Sequence, residues 1–263
     1  MLAMKNKLNK ELAVCGFSAV KTLEKNNSDK IRRLYFTQER APLFGGLCKV
    51  LSKRKAPYNV VEPKELEKLC GSIHHQGVVA MIDEPQIQEL TPEIINSFSQ
   101  KKEHTILLDR IGNANNLGAI VRSAAFFGIK NIVIPKDESQ TSITTSSYRV
   151  AEGGMEFVQI YSTSSVLSLL KSVKGKMVRI GTDLNASKNV SVIHDLCTKK
   201  PALIILGNEE NGISESVRAN CDELVIIPFF GMKKGKASPV ESLNVAQAAT
   251  VILYELQKGN QAF

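Results

Sequence analysis

No apolar stretch in these 263 residues approaches the roughly 18 that a membrane-spanning helix needs. The start, Met1-Leu2-Ala3-Met4, turns basic at once and lacks the apolar region of a signal peptide. Cysteine is scarce and scattered. Cys15, Cys48, Cys70, Cys197 and Cys221 are odd in number and show no CxxC spacing. That pattern argues against a disulfide framework or a zinc site, and for reduced thiols in the cytoplasm. The four histidines (His74, His75, His104, His194) do not cluster, so no metal site is assigned. Internal repeats and low-complexity tracts are also missing.

What is present is an ordinary globular composition, 43% hydrophobic and 23% charged. The net charge of +8 is unevenly spread. The first 102 residues carry 17 Lys and Arg against 11 Asp and Glu, the rest 17 against 15. A basic front portion attracts phosphate backbones. The run Lys49 to Lys55, with Lys53 and Arg54, is where a surface loop would meet RNA, although such runs are also ordinary solvated faces.

Along the chain, residues 10–83 read as a small α/β unit, with a weak helix over 11–25, strands over 31–36, 58–61 and 78–82, and a helix from Pro63. Asp83 to Lys102, with Pro85 and Pro92 and few large apolar residues, changes character. The expected division is a first domain over 1–84, a linker over 85–102 and a second domain over 103–263. From Thr105 strands and helices alternate, which implies a parallel sheet with helices on both faces. Ala202 to Leu206 is continuously apolar, as in a strand covered on both sides.

Three polar clusters open helix-like runs in this second domain: Asn116-Leu117-Gly118 with Arg122, Gly207-Asn208-Glu209-Glu210-Asn211-Gly212, and Ser242-Leu243-Asn244. Loops at the carboxyl ends of parallel strands are where open α/β domains place ligands. The GxxxxG spacing from Gly207 is not a phosphate loop, because Ile213-Ser214 stands where Lys and Ser/Thr belong. Glu209 and Glu210 would repel phosphate and better suit a cation or sugar hydroxyls. The junction Asp109 to Gly118 lacks GxGxxG, which argues against an ordinary dinucleotide site. S-adenosylmethionine, with a sulfonium, a ribose, an adenine and no phosphate, fits what remains. A glycine-bounded turn with an acidic tip accounts for the same letters structurally. Asn116 can serve as a helix N-cap, and Asn244 or Ser242 can cap the run from Val245. Arg122, among Leu117, Ile120, Val121, Ala124 and Phe127, either snorkels or meets an anion such as an RNA phosphate.

In this order, NNLGAIVRSA from Asn115, LGNEENGIS from Leu206 and IP…SLNVAQAA from Ile227 resemble the three motifs of the SpoU (TrmH-type) RNA ribose 2′-O-methyltransferases of the SPOUT superfamily. The front part, including His75 to Ala80, is similar to the ribosomal-protein-like RNA-binding domain that precedes the catalytic domain in many members. The resemblance implies a parallel-sheet α/β domain with a deep trefoil knot, a homodimer and S-adenosylmethionine under the knot. It places Gly207, Ile227 and Leu243, with Asn208, Thr182 and neighbouring Gly181, at the cofactor. It places Asn116, Arg122, Glu209, Ser242 and Asn244 in catalysis and substrate placement, with Arg122 near the partner subunit's cofactor. The implied reaction is methyl transfer to a ribose 2′-hydroxyl of ribosomal or transfer RNA, with ribosomal RNA favoured. Arg122 then stabilises alkoxide character or holds the adjacent phosphate, and Glu209 orients Arg122 or meets the sulfonium. The connection 229–241, with three lysines, is longer than in most relatives. It suits a lid or an added RNA contact; the alternative is a non-catalytic RNA-binding protein whose pocket it closes, and retention of all three motifs favours the enzyme.

Overall fold

The computed structural model describes residues 10–208, 210–230 and 242–259. They form two compact units, one from 10–86 with 142–157, the other from 87–141 with 158–259.

The first unit opens with β1 (Glu11–Cys15) and α1 (Phe17–Asn27), then β2 (Ile31–Phe36), α2 (Gly45–Lys53), β3 (Tyr58–Val60), α3 (Pro63–Cys70) and β4 (Val78–Asp83). The helix expected over 11–25 is thus two elements. Residues 11–15 pair antiparallel with β4 from Glu11 opposite Asp83 to Cys15 opposite Val79. Gly16, at φ 98°, then turns the chain into the helix, a conformation glycine adopts without the Cβ penalty. Tertiary pairing overrode a weak helical period. The sheet order is β1-β4-β2-β3, with β3 parallel to β2. Val14, Val20, Leu23, Leu34, Phe44 and Leu66 are fully buried in this unit.

The second unit contains β5 (Gln88–Glu89), α4 (Pro92–Gln100), β6 (Thr105–Leu108), α5 (Ala114–Phe126) and β7 (Asn131–Pro135). Helix α6 (Thr145–Ala151) follows but belongs to the first unit. The second unit resumes with β8 (Gln159–Thr163), α7 (Val166–Val173), β9 (Val178–Thr182), β10 (Lys188–Asn189), α8 (Ile193–Leu196), β11 (Ala202–Leu206), α9 (Glu215–Arg218), β12 (Glu223–Ile226) and α10 (Val245–Gln257). Its eight strands run β10-β12-β9-β11-β6-β7-β8-β5, and every pairing is parallel.

Two features depart from the expected division. Residues 87–102 do not form a bare linker: β5 pairs with β8, and Ile95 packs with Leu107, Val133 and Leu203 in the core. Thr91 caps α4 by accepting from the Ile94 N–H at 3.4 Å, and Pro92 occupies its first turn. Residues 142–157, expected in the second domain, fall in the first unit, where a reciprocal Thr144–Ser147 capping box starts α6. Neither assignment is marked by local composition, because both depend on which distant strand covers the apolar side chains.

Outward from β6 the chain lays β7 and β8 on one side, while β11, β9 and β12 lie on the other. A reversal of this kind leaves a crevice outside the carboxyl ends of the strands.

Candidate functional site

A cavity of about 520 Å³ lies at the carboxyl ends of β9, β11 and β12. Its wall comes from Thr182, Asp183, Leu184 and Asn185 at and after the end of β9, from Gly207, Asn208 and Glu210 to Ile213 after β11, and from Ile226 to Phe230 at and after the end of β12. Ser242, Leu243 and Val245, at the head of α10, complete it. The volume falls in the roughly 300–1,000 Å³ range of small-molecule sites. Five residues assigned to the cofactor from the sequence, Thr182, Gly207, Asn208, Ile227 and Leu243, therefore line one cavity, joined by Ser242. Asn116, Arg122 and Asn244 are not among the lining residues. Glu209 and most of the long connection, 231–241, lie outside the described residues.

The loop after β11 folds back on itself. Asn208 and Gly212 form an antiparallel bridge, with the Gly212 N–H donating to the Asn208 carbonyl at 2.8 Å. Gly212 takes φ +61°, and a Cβ on Gly207 would overlap the carbonyl carbon of Gly212 and the nitrogen of Ile213. Glycine at 207 is thus required by close backbone approach. The Asn208 side chain holds the loop from within. Its Oδ1 accepts from the N–H groups of Glu210 at 2.9 Å and Asn211 at 3.3 Å. Its amide donates to the Arg110 carbonyl at 3.0 Å, which ties this loop to the β6–α5 junction.

That junction carries two residues the sequence reading passed over. Asp109 is buried, 4% exposed, and pairs with Arg110, whose φ of 63° is left-handed for a residue with a Cβ. The Arg110 guanidinium also donates to the Gly212 carbonyl at 3.5 Å. The expected capping role of Asn116 is corrected here. Helix α5 begins at Ala114, and Asn113 is the cap, accepting from the Asn115 N–H at 2.8 Å. Asn116 sits in the first turn, where its Oδ1 accepts from the Asn244 amide at 3.1 Å. Asn244 itself caps α10, accepting from the Ala246 N–H at 2.9 Å. The first and third polar clusters therefore meet through their asparagines. Two turns on, the Ser123 and Thr250 hydroxyls lie 2.8 Å apart and join the same helices. Arg122 is exposed on α5.

Two charged residues on the cavity wall were not singled out in the sequence, Asp183 and Arg218. Asp183 directly follows a strand end, the one local signal that marks it. Beneath the wall, Arg179 is 5% exposed and clamps Asp222 through Nε at 2.9 Å and Nη2 at 2.5 Å. Those hydrogen bonds hold the Asp222 carboxyl below the usual aspartate range. Burial pushes the adjacent Cys221 thiol up to about 11, so it is protonated at neutral pH. The wall thus offers backbone groups, amides, the carboxylates of Asp183 and Glu210 and one guanidinium around an apolar floor that includes Ile213, Val225 and Ile252. It is built to hold and orient a ligand with an apolar body and polar edges.

A parallel α/β sheet with a cavity lined by the second and third motifs defines a class, and comparisons with known proteins agree with it. Residues 103–254 match the SpoU rRNA Methylase family model. Residues 13–88 match a model described as RNA 2′-O ribose methyltransferase substrate binding. The chain belongs to the SpoU rRNA methylase family. It is similar to an uncharacterized tRNA/rRNA methyltransferase of Haemophilus influenzae, 27% identical over 92% of this chain, and the match spans 65% of that relative, less than two thirds. It is 31% identical to the 23S rRNA (guanosine-2′-O-)-methyltransferase RlmB of Acinetobacter baylyi, over 72% of this chain and 73% of that one. An AdoMet-bound rRNA methyltransferase of Sinorhizobium meliloti shares the fold, with a TM-score of 0.76, 19% identity and coverage of 99% and 92%.

Proposed function

We propose that this protein transfers a methyl group from S-adenosylmethionine to a ribose 2′-hydroxyl of RNA, ribosomal rather than transfer RNA. One observation carries the reading: Gly207 of the second motif and Ile227 and Leu243 of the third line a single cavity of about 520 Å³. The cavity fits the cofactor chemically. Among the described residues its lining includes no lysine, its floor is apolar, and a buried Asp183 carboxylate on its wall is ion-paired with Arg218 at 2.7 Å. The name of the Acinetobacter relative supports ribosomal RNA as the substrate.

When bound, the cofactor supplies an activated methyl group and its own leaving group. The chain's task is alignment, which in well-ordered cases lowers a barrier by roughly 7–11 kcal/mol. The Gly207 turn, shaped by Asn208, brings backbone against the ligand. Ser242 and Leu243 form the opposite wall. Asn116 and Asn244, joined by their hydrogen bond, place substrate groups beside it. The Arg122 guanidinium stabilises the forming alkoxide or grips the neighbouring phosphate, while a carboxylate or phosphate takes the proton. Glu209 belongs to this set. The trefoil knot implied by the family resemblance is part of the same reading.

The protein acts as a homodimer. Phe126 is 82% exposed on α5 and Tyr254 57% exposed on α10, and Phe127 stacks edge-on with both, at 5.1 and 6.5 Å. An exposed aromatic face on the helices bearing Arg122 and Asn244 suits a second copy, which would bring Arg122 to the partner's cavity. The basic first unit docks the RNA. The cytoplasm is the proposed location, and among the described residues no helix is long and apolar enough to cross a membrane.

The test is to map 2′-O-methyl marks in RNA from cells with and without the protein, then to reproduce a lost mark with purified protein, S-adenosylmethionine and that RNA. Identical marks in both cells would remove the proposal.

A further inference from the structure

Asp183 sits immediately beyond β9, on the cavity wall, with its side chain 3% exposed. One carboxylate oxygen is fixed: Oδ1 accepts from the Asn185 N–H at 2.7 Å. The other, Oδ2, is buried without a hydrogen bond. Arg218 Nη1 lies 2.7 Å from it as an ion-pair contact, and a carboxylate oxygen has a second lone pair that can accept from a ligand in the cavity. Arg218 also lines the cavity, with its side chain 42% exposed.

The charge of this corner decides what the donor is. The guanidinium already balances the carboxylate, so an ammonium or sulfonium brought to Oδ2 would meet Arg218 as well. A neutral hydroxyl gains a charge-assisted hydrogen bond without that repulsion. A sugar diol offers two such hydroxyls on adjacent carbons. An acidic residue just past a strand end is also how other open α/β sheets hold the ribose of a bound nucleotide.

We propose that Asp183 receives the ribose hydroxyls of the bound cofactor and that Arg218 is the residue that positions its carboxylate. This rests on the cofactor reading above and extends it to one subsite. Asp183 holds the sugar at the mouth of β9. Arg218 keeps the Asp183 carboxylate turned into the cavity without contributing to the methyl transfer itself.

The experiment is calorimetric titration of the full-length protein with S-adenosylhomocysteine and with its 2′-deoxy and 3′-deoxy analogues. Wild-type protein is expected to bind at least one deoxy analogue roughly ten- to a hundred-fold more weakly than the parent, the value of a hydrogen bond to a charged group. Asp183→Asn should lose a similar factor for the parent and discriminate little among the three. Arg218→Ala should raise the cofactor KM with kcat nearly unchanged, and Arg218→Lys should restore most of it. Equal binding of parent and both deoxy analogues by wild-type protein overturns the proposal, as does an Asp183→Asn variant that binds the parent normally. Should Asp183→Asn fail to fold, the wild-type comparison decides alone. Absence of any binding by wild-type protein sinks the cofactor reading too, whereas tight binding that ignores the diol sinks this subsite only.

Discussion

The side-chain amide of Asn244 donates to Oδ1 of Asn116 across 3.1 Å, while Asn244 Oδ1 caps α10 at the Ala246 N–H. One side chain thus starts a helix and joins two polar turns 128 residues apart. The two roles separate by chemistry. An aspartate still caps but cannot donate to Asn116. Asn244→Asp is therefore expected to keep its melting temperature and lose activity. Asn244→Ala should lose both, with about 1 kcal/mol of stability gone for the cap. Equal activity of the Asp variant and wild type, in a methyl-transfer assay paired with thermal melts, would show that the link to Asn116 is structural only.

Gly207 tests the shape of the cavity. A Cβ there overlaps backbone atoms of Gly212 and Ile213, which cannot move as a flexible side chain would. Gly207→Ala should destabilise the protein by about 1–3 kcal/mol, the usual cost of overpacking, and weaken cofactor binding more than ten-fold. Denaturant titration and S-adenosylhomocysteine binding measure the two effects, and an unchanged affinity would place the loop outside the ligand site.

Arg122, exposed on α5, is not part of the core. Arg122→Ala should fold, bind cofactor normally and lose roughly 10²-fold in transfer, as when a key electrostatic donor is removed. Near-normal turnover would remove it from the mechanism.

His104 makes stability depend on pH. Its Nδ1 accepts from the Ala202 N–H at 2.9 Å, and burial, aided by the nearby His194, lowers its pKa. The unfolded chain then takes up a proton first as pH falls below about 6.5, so stability contributed by neutral His104 is present above that value and declines below it. His104→Asn, which keeps an acceptor for Ala202, should flatten the decline between pH 7 and pH 5 in chemical denaturation. A slope equal to that of wild type would assign the dependence to other groups.

Much of the second unit was legible in the sequence because its strands are short, apolar and separated by periodic helices. Ala202 to Leu206 is a fully buried strand, and the residues that mark the polar turns lie at strand ends and helix starts. Elements whose character is set by distant partners were not legible in this way. Residues 11–15 look helical until β4 pairs with them. Residues 87–102 look like a linker until β8 and the Leu107 core claim them. Asn116 looks like a cap, yet Asn113 does that work.

The sequence by itself determined the order of the motifs, the glycines where backbones approach, the excess positive charge toward the front and the family. Those properties are local: they depend on residue type, spacing and period, which no distant contact alters. Only the tertiary structure decided that Thr182, Gly207, Ile227 and Leu243 share one cavity, that Asn116 meets Asn244, and that Asp183 lies buried against Arg218. Convergence of this kind follows from the strand order of the sheet, and strand order is set by long-range packing that nearest-neighbour patterns do not encode.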